Sequence, residues 1–130
     1  KAIQISPKNP EFYFVLALAE RQQGNVQEAI VNLKKALELN PNHAGAIEGL
    51  GDCFRDLGNV DEAIMAYGKA IKINPNNPDF YFGLALAERQ QGNVQEAIVN
   101  LNKAIELNPN HSGANKVLGD CFRDLGDCCT

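Results

Sequence analysis

The chain has 130 residues, 45% hydrophobic and 22% charged, with a net charge of −4 and a pI near 5.1. This composition belongs to a soluble globular chain rather than a disordered one, and its acidity argues against nucleic acid or an anionic membrane as partner. The longest apolar run, Phe12 to Ala19, is only eight residues, far short of the ~20 that cross a bilayer.

Residues 1–9 read as the end of a helix, closed near Pro7. Asn9-Pro10-Glu11 then starts a helix of about 13 residues. Proline suits the first helical position, and an acid favours the helix's positive end. Gly24 ends that helix, because the residue after a helix often enters a left-handed conformation. Asn25-x-x-Glu28 follows and resembles a capping box with Asn in place of Ser or Thr, opening a second helix of about 14 residues. Asn40-Pro41 stops it, since proline disfavours helical geometry in the residue before it. The same signs then recur: Gly58, Asn59 with Glu62, and Asn74-Pro75; a restart at Asn77-Pro78-Asp79; Gly92, Asn93 with Glu96, and Asn108-Pro109. A last helix over 112–125 ends at Gly126, where the next box is missing and Cys128-Cys129-Thr130 stands instead. No strand signal survives.

The recurrence is quantitative. Residues 1–62 align with 69–130 without a gap, and 47 of the 62 pairs are identical. That 68-residue period is too long for one helical hairpin and splits into units of 34, the spacing of Pro41, Pro75 and Pro109 and of Ala29, Ala63 and Ala97. The small residues Ala29, Ala36, Ala63, Ala70, Ala97 and Ala104 let the second helix lie close to the first, while Leu16, Ile30, Leu33, Leu39 and their repeats fill the space between.

With these residues in place, the chain resembles the tetratricopeptide repeat family. The matching pattern is Leu16, Ala17, Gly24, Ala29, Ala36 and Pro41, then Leu50, Gly51, Gly58, Ala63, Ala70 and Pro75, then Leu84, Ala85, Gly92, Ala97, Ala104 and Pro109. The resemblance implies an all-α, right-handed solenoid of antiparallel helix pairs forming a single domain. It would comprise a partial helix B (1–9), full repeats at 10–43, 44–77 and 78–111, and helix A of an incomplete repeat at 112–130. Two departures stand out. The family's early aromatic becomes Tyr13, Ile47, Tyr81 and Asn115; its late helix-A aromatic is kept as Phe54 and Phe122 but becomes Glu20 and Glu88. Such a carboxylate must lie at the rim or be paired, for instance with an arginine.

The sequence shows no phosphate loop, zinc-protease helix or nucleophile elbow, and it calls for no cofactor or metal. His43 and His111 occupy the turn position where Asn9 and Asn77 cap, and neither has a ligand partner at metal spacing. Cys53 and Cys121 read as small buried hydrophobes, and the adjacent Cys128 and Cys129 are weak evidence for any thiol chemistry. With so few and unevenly placed cysteines, a reduced, cytoplasmic setting is the default expectation. The chain begins with Lys1, so the lack of a signal peptide carries little weight.

The resemblance implies that helix A of each repeat lines a concave groove for a protein or peptide. Its groove positions fall on Phe14, Leu18, Arg21 and Gln22; on Glu48, Asp52, Arg55 and Asp56; on Phe82, Leu86, Arg89 and Gln90; and on Lys116, Asp120, Arg123 and Asp124. Phe12 to Ala19 is apolar all round, so something must cover Phe14, Leu18, Phe82 and Leu86: neighbouring helices, the chain's own ends, or a peptide with apolar anchors around a basic residue. No carboxylate clamp is expected, because only Lys116 fits one. The expected function is a protein-interaction scaffold and not an enzyme. Alternatives are the regulatory or targeting region of a larger enzyme, or an array that self-associates through its open ends.

Overall fold

The computed structural model describes residues 8–129, with side chains through residue 126. The expected helical end at 1–7 and the side chains of Cys128 and Cys129 lie outside the described residues. Seven helices follow one another with no strand among the described residues: α1 (Pro10–Gln22), α2 (Val26–Leu39), α3 (Ala44–Asp56), α4 (Val60–Ile73), α5 (Pro78–Gln91), α6 (Val94–Leu107) and α7 (Ser112–Cys129).

The starts and stops follow from local chemistry. The Asn9 and Asn77 side chains accept from the backbone N–H groups of Glu11 and Asp79 at 3.0 and 2.9 Å, with Pro10 and Pro78 as first helical residues. Gly24, Gly58 and Gly92 take φ of 88°, 83° and 97°, a region open to glycine at little cost. Around Gly24, the Gly24 N–H donates to Arg21 O and the Asn25 N–H to Glu20 O, which closes the last carbonyls of α1.

That closure overturns the capping boxes expected at Asn25, Asn59 and Asn93: none of the three side chains caps the helix it precedes. Their backbones sit near φ −88°, ψ 66° for Asn25, fixed by the link to the preceding helix. A capping side chain normally springs from an extended backbone. The Asn93 amide donates to Gln91 Oε1 instead.

The predicted stop at Gly126 is also corrected. Helix α7 passes through Gly126 and runs to Cys129. Asp127, Cys128 and Cys129 stand where Asn59, Val60 and Asp61 turn the chain from α3 into α4, and here the helix continues through them.

Helices pair as α1 with α2, α3 with α4 and α5 with α6, and each pair stacks on the next. The first helices of successive pairs also touch, α1 with α3, α3 with α5 and α5 with α7, whereas α2, α4 and α6 do not meet one another. Close packing on one side and separation on the other curve the stack, with α1, α3, α5 and α7 on the concave side. The six predicted alanines are fully buried between paired helices. Ile30 and Leu33 are buried with them, but Leu16 and Leu39 are 37% and 42% exposed, correcting their assignment to the core. The counterpart of Leu16, Leu84, packs beside Tyr67 of α4, a neighbour that α1 lacks among the described helices.

The run Phe12 to Ala19 lies in α1, where Val15, Leu16 and Leu18 are exposed among the described residues; its counterpart in α5 is covered on more sides. Phe80 is buried against Ile47 and Ala66 of α3 and α4, while Ala85 packs with Ala97 and Leu101 of α6 and with Ala114 of α7. A helix enclosed on three sides needs more than one apolar stripe.

Candidate functional site

The concave face is built from the helices whose partners leave one side open. Of its predicted apolar residues, Phe14 and Phe82 turn out to be joints between repeats. Each ring lies against the histidine that starts the next first helix, Phe14 on His43 and Phe82 on His111, with ring centres 4.8 Å apart. A Cβ at Gly45 would meet Phe14 at 3.1 Å and one at Gly113 would meet Phe82 at 2.9 Å, so glycine makes room for each ring. Leu18, by contrast, is 42% exposed, and Leu86 is half-buried.

His43 and His111 do more than occupy a turn. Nδ1 of His43 accepts the Ala46 N–H at 3.0 Å, and its Nε2 meets Glu11 at 2.6 Å. His111 does the same with Ala114 and with Asp79. An accepting Nδ1 places the ring proton on Nε2, which donates to the carboxylate. Each histidine thus caps one helix and ties it to the first turn of the preceding repeat.

The charged residues on this face are largely paired with each other. Arg21 grips Asp56 through two hydrogen bonds of 2.7 and 3.1 Å, joining α1 to α3. Arg89 grips Asp124 at 2.9 and 3.4 Å, joining α5 to α7. The bond to Asp56 raises the pKa of Arg21. Asp120 pairs with Arg123, which lowers its pKa, and with Lys116. In the second repeat the pattern breaks, since Gln90 stands where a carboxylate would face Arg55. Arg55 turns instead to Asp52 at 3.3 Å and to the hydroxyl of Tyr67 at 3.2 Å, and that hydroxyl donates to Asp52.

Tyr67 comes from α4 and was missed by a reading confined to the first helices. It is fully buried, and its ring passes between Gly51 of α3 and Gly83 of α5, where added Cβ atoms would overlap it. One signal was available: Gly83 replaces Val15 within an otherwise near-identical stretch, and Tyr67 stands where Leu33 and Leu101 stand in the neighbouring units. Burial and the nearby Asp52 push the Tyr67 phenol pKa upward, so it stays a donor.

Glu48, in the same column as Phe14 and Phe82, is half-buried, and its side chain makes no hydrogen bond or ion pair among the described residues. Burial, with Asp52 and Asp79 adding to it, pushes its carboxyl up to about 7. Gln22 and Gln90 are exposed. Arg55, Leu86, Arg89, Gln90 and Asp124 together line a shallow recess on this face.

Glu20 and Glu88 are each paired, with an asparagine rather than an arginine: they accept from Asn32 and Asn100 of their own hairpins at 2.7 Å. Among the described residues no group of three or more His, Cys, Asp or Glu is placed to hold a metal ion, and no helix is long and apolar enough to cross a membrane. Burial pushes the Cys53 thiol up to about 11, which keeps it unreactive at neutral pH.

Models of the tetratricopeptide repeat match residues 2–33, 20–65, 51–88 and 78–111. No curated protein matches the chain. Among solved structures, MamA is 27% identical with a TM-score of 0.85, over 96% of this chain and 73% of that one. The Yersinia enterocolitica type III secretion chaperone SycD, in complex with a peptide of the translocator YopD, is 25% identical with a TM-score of 0.79, over 88% and 92%. YrrB, described as having an unusual peptide-binding site, is 25% identical with a TM-score of 0.77, over 84% of this chain and 56% of that one.

Proposed function

Because the chain belongs to the tetratricopeptide repeat family, we propose that it is a non-catalytic scaffold whose concave face holds an extended peptide or protein segment. The observation that carries this is the pair Leu18 and Leu86. These equivalent leucines stand on the open side of α1 and α5, and one of them is 42% exposed. Between and beside them lie paired charges and uncharged amides, a polar frame around apolar anchors. The peptide complex of SycD and the peptide-binding site of YrrB support the reading by likeness.

The test is capture of peptides from a degenerate library by the wild type and by a Leu18→Ser, Leu86→Ser variant. The variant should lose most of the captured peptide while keeping its helical spectrum and melting temperature. Equal capture by both proteins would end the proposal. Phe14 and Phe82 are unsuited to this test, because truncating either removes a joint between repeats.

A further inference from the structure

Among the described residues, every charged groove position on the concave side except one is engaged. Arg21 is held by Asp56, Arg55 by Asp52, Arg89 by Asp124, and Lys116 and Arg123 by Asp120. At the rim, Glu11 and Asp79 are held by His43 and His111. The exception is Glu48, which lies at the middle of the face, one repeat after Phe14 and one repeat before Phe82. We propose that Glu48 is the receptor for a cationic side chain, a lysine or arginine, of the segment bound in the groove, with apolar residues of that segment on either side.

The proposal rests on the groove reading and adds the chemistry of the partner. The half-buried Glu48 carboxylate has no protein donor among the described residues, so burial makes its ionised form costly, and the charges of Arg21 and Arg55 offset that cost only in part. The charges that act on it are those of Asp52 on its own helix and Asp79 of α5, which oppose its ionisation, and those of Arg21 of α1 and Arg55 of its own helix, which favour it. Arg21 is held by Asp56 through two bonds, and Arg55 by Asp52 and the Tyr67 hydroxyl, so moving either onto Glu48 breaks bonds already made. An ammonium or guanidinium from a guest supplies the missing donor and opposes the two aspartates as well. An acidic guest meets like charge at this point and is rejected.

The same arrangement couples binding to proton release. In the free protein the carboxyl titrates near 7, whereas a bound cation favours its ionised form. At pH 6 a guest must displace the proton; at pH 9 there is none to displace. Affinity for a basic guest therefore rises with pH through neutrality and then levels off.

Three pools of capped peptides with degenerate flanks and a central lysine, norleucine or glutamate test this against the wild type, Glu48→Gln and the Leu18→Ser, Leu86→Ser variant. The wild type should retain the lysine pool roughly tenfold better than the norleucine pool, about the effect of one partly buried ion pair, and the glutamate pool least. Glu48→Gln, an isosteric change, should retain lysine and norleucine pools alike. Calorimetry of the best lysine peptide in two buffers of different ionisation heat should show proton release at pH 6 and none at pH 9. If the lysine and norleucine pools are retained equally, or the preference persists in Glu48→Gln, the assignment of Glu48 is overturned while the groove stands. If no pool distinguishes the wild type from the double-serine variant, the groove reading falls and takes the assignment with it.

Discussion

Tyr67 and Gly83 are a matched pair: the ring of one occupies the space that a side chain at the other would need. The first unit has Val15 at the position of Gly83. Val15 is 59% exposed. One glycine-for-valine difference between near-identical units is therefore explained by a tyrosine 16 residues away in sequence.

Restoring the first unit's residue with Gly83→Val should lower stability in urea denaturation by at least the ~1–3 kcal/mol typical of overpacking. Combined with Tyr67→Leu, the residue type at the equivalent positions 33 and 101, the penalty of Gly83→Val should largely vanish. A double-mutant cycle showing independent effects would refute the pairing.

Arg21 and Asp56 form a bridge with both side chains about a third exposed. Such a bridge is worth little beyond ~1 kcal/mol. A cycle of Arg21→Ala and Asp56→Ala should give a coupling of roughly 0.5 kcal/mol that shrinks as salt rises. A coupling unaffected by salt would mean the contact is not chiefly ionic.

His43 both caps α3 and reaches Glu11. His43→Ala should cost about 1 kcal/mol, the usual loss on removing a cap. His43→Asn, which copies the Asn9 and Asn77 caps, should recover much of it. Thermal melts of the two variants at neutral pH discriminate; equal losses would show that capping is not what the histidine contributes.

Glu48 also makes stability depend on pH. The unfolded chain ionises this carboxyl near the ordinary value of 4.5, and the folded chain only near 7. Between these values the folded state binds the extra proton, so stability from this group is present below 4.5 and is lost as pH rises toward 7. Glu48→Gln should therefore melt higher than the wild type at pH 8, with the difference fading toward pH 4. A difference that does not change with pH would place the carboxyl in a solvated site.

The helices and their order were legible in the sequence, because glycine, proline and asparagine act on the residues next to them and the 34-residue spacing repeats those local effects. The capping boxes at Asn25, Asn59 and Asn93 were misread because a motif says nothing about backbone direction. There the closure of the preceding helix had already set each asparagine's ψ near 70°. The stop at Gly126 failed for a related reason: a glycine permits a turn but does not compel one.

What the sequence determined alone was periodic: helix, turn, helix, and small residues where helices meet. Which of the equivalent concave residues are occupied and which are free was decided only in three dimensions. Phe14 and Phe82 became joints, Arg21 and Arg89 became clasps, and Glu48 was left without a donor, because each depends on what the next repeat brings within about 3 Å, the range of a hydrogen bond. Periodicity carries no information about that neighbour; the stacking of one hairpin on another supplies it.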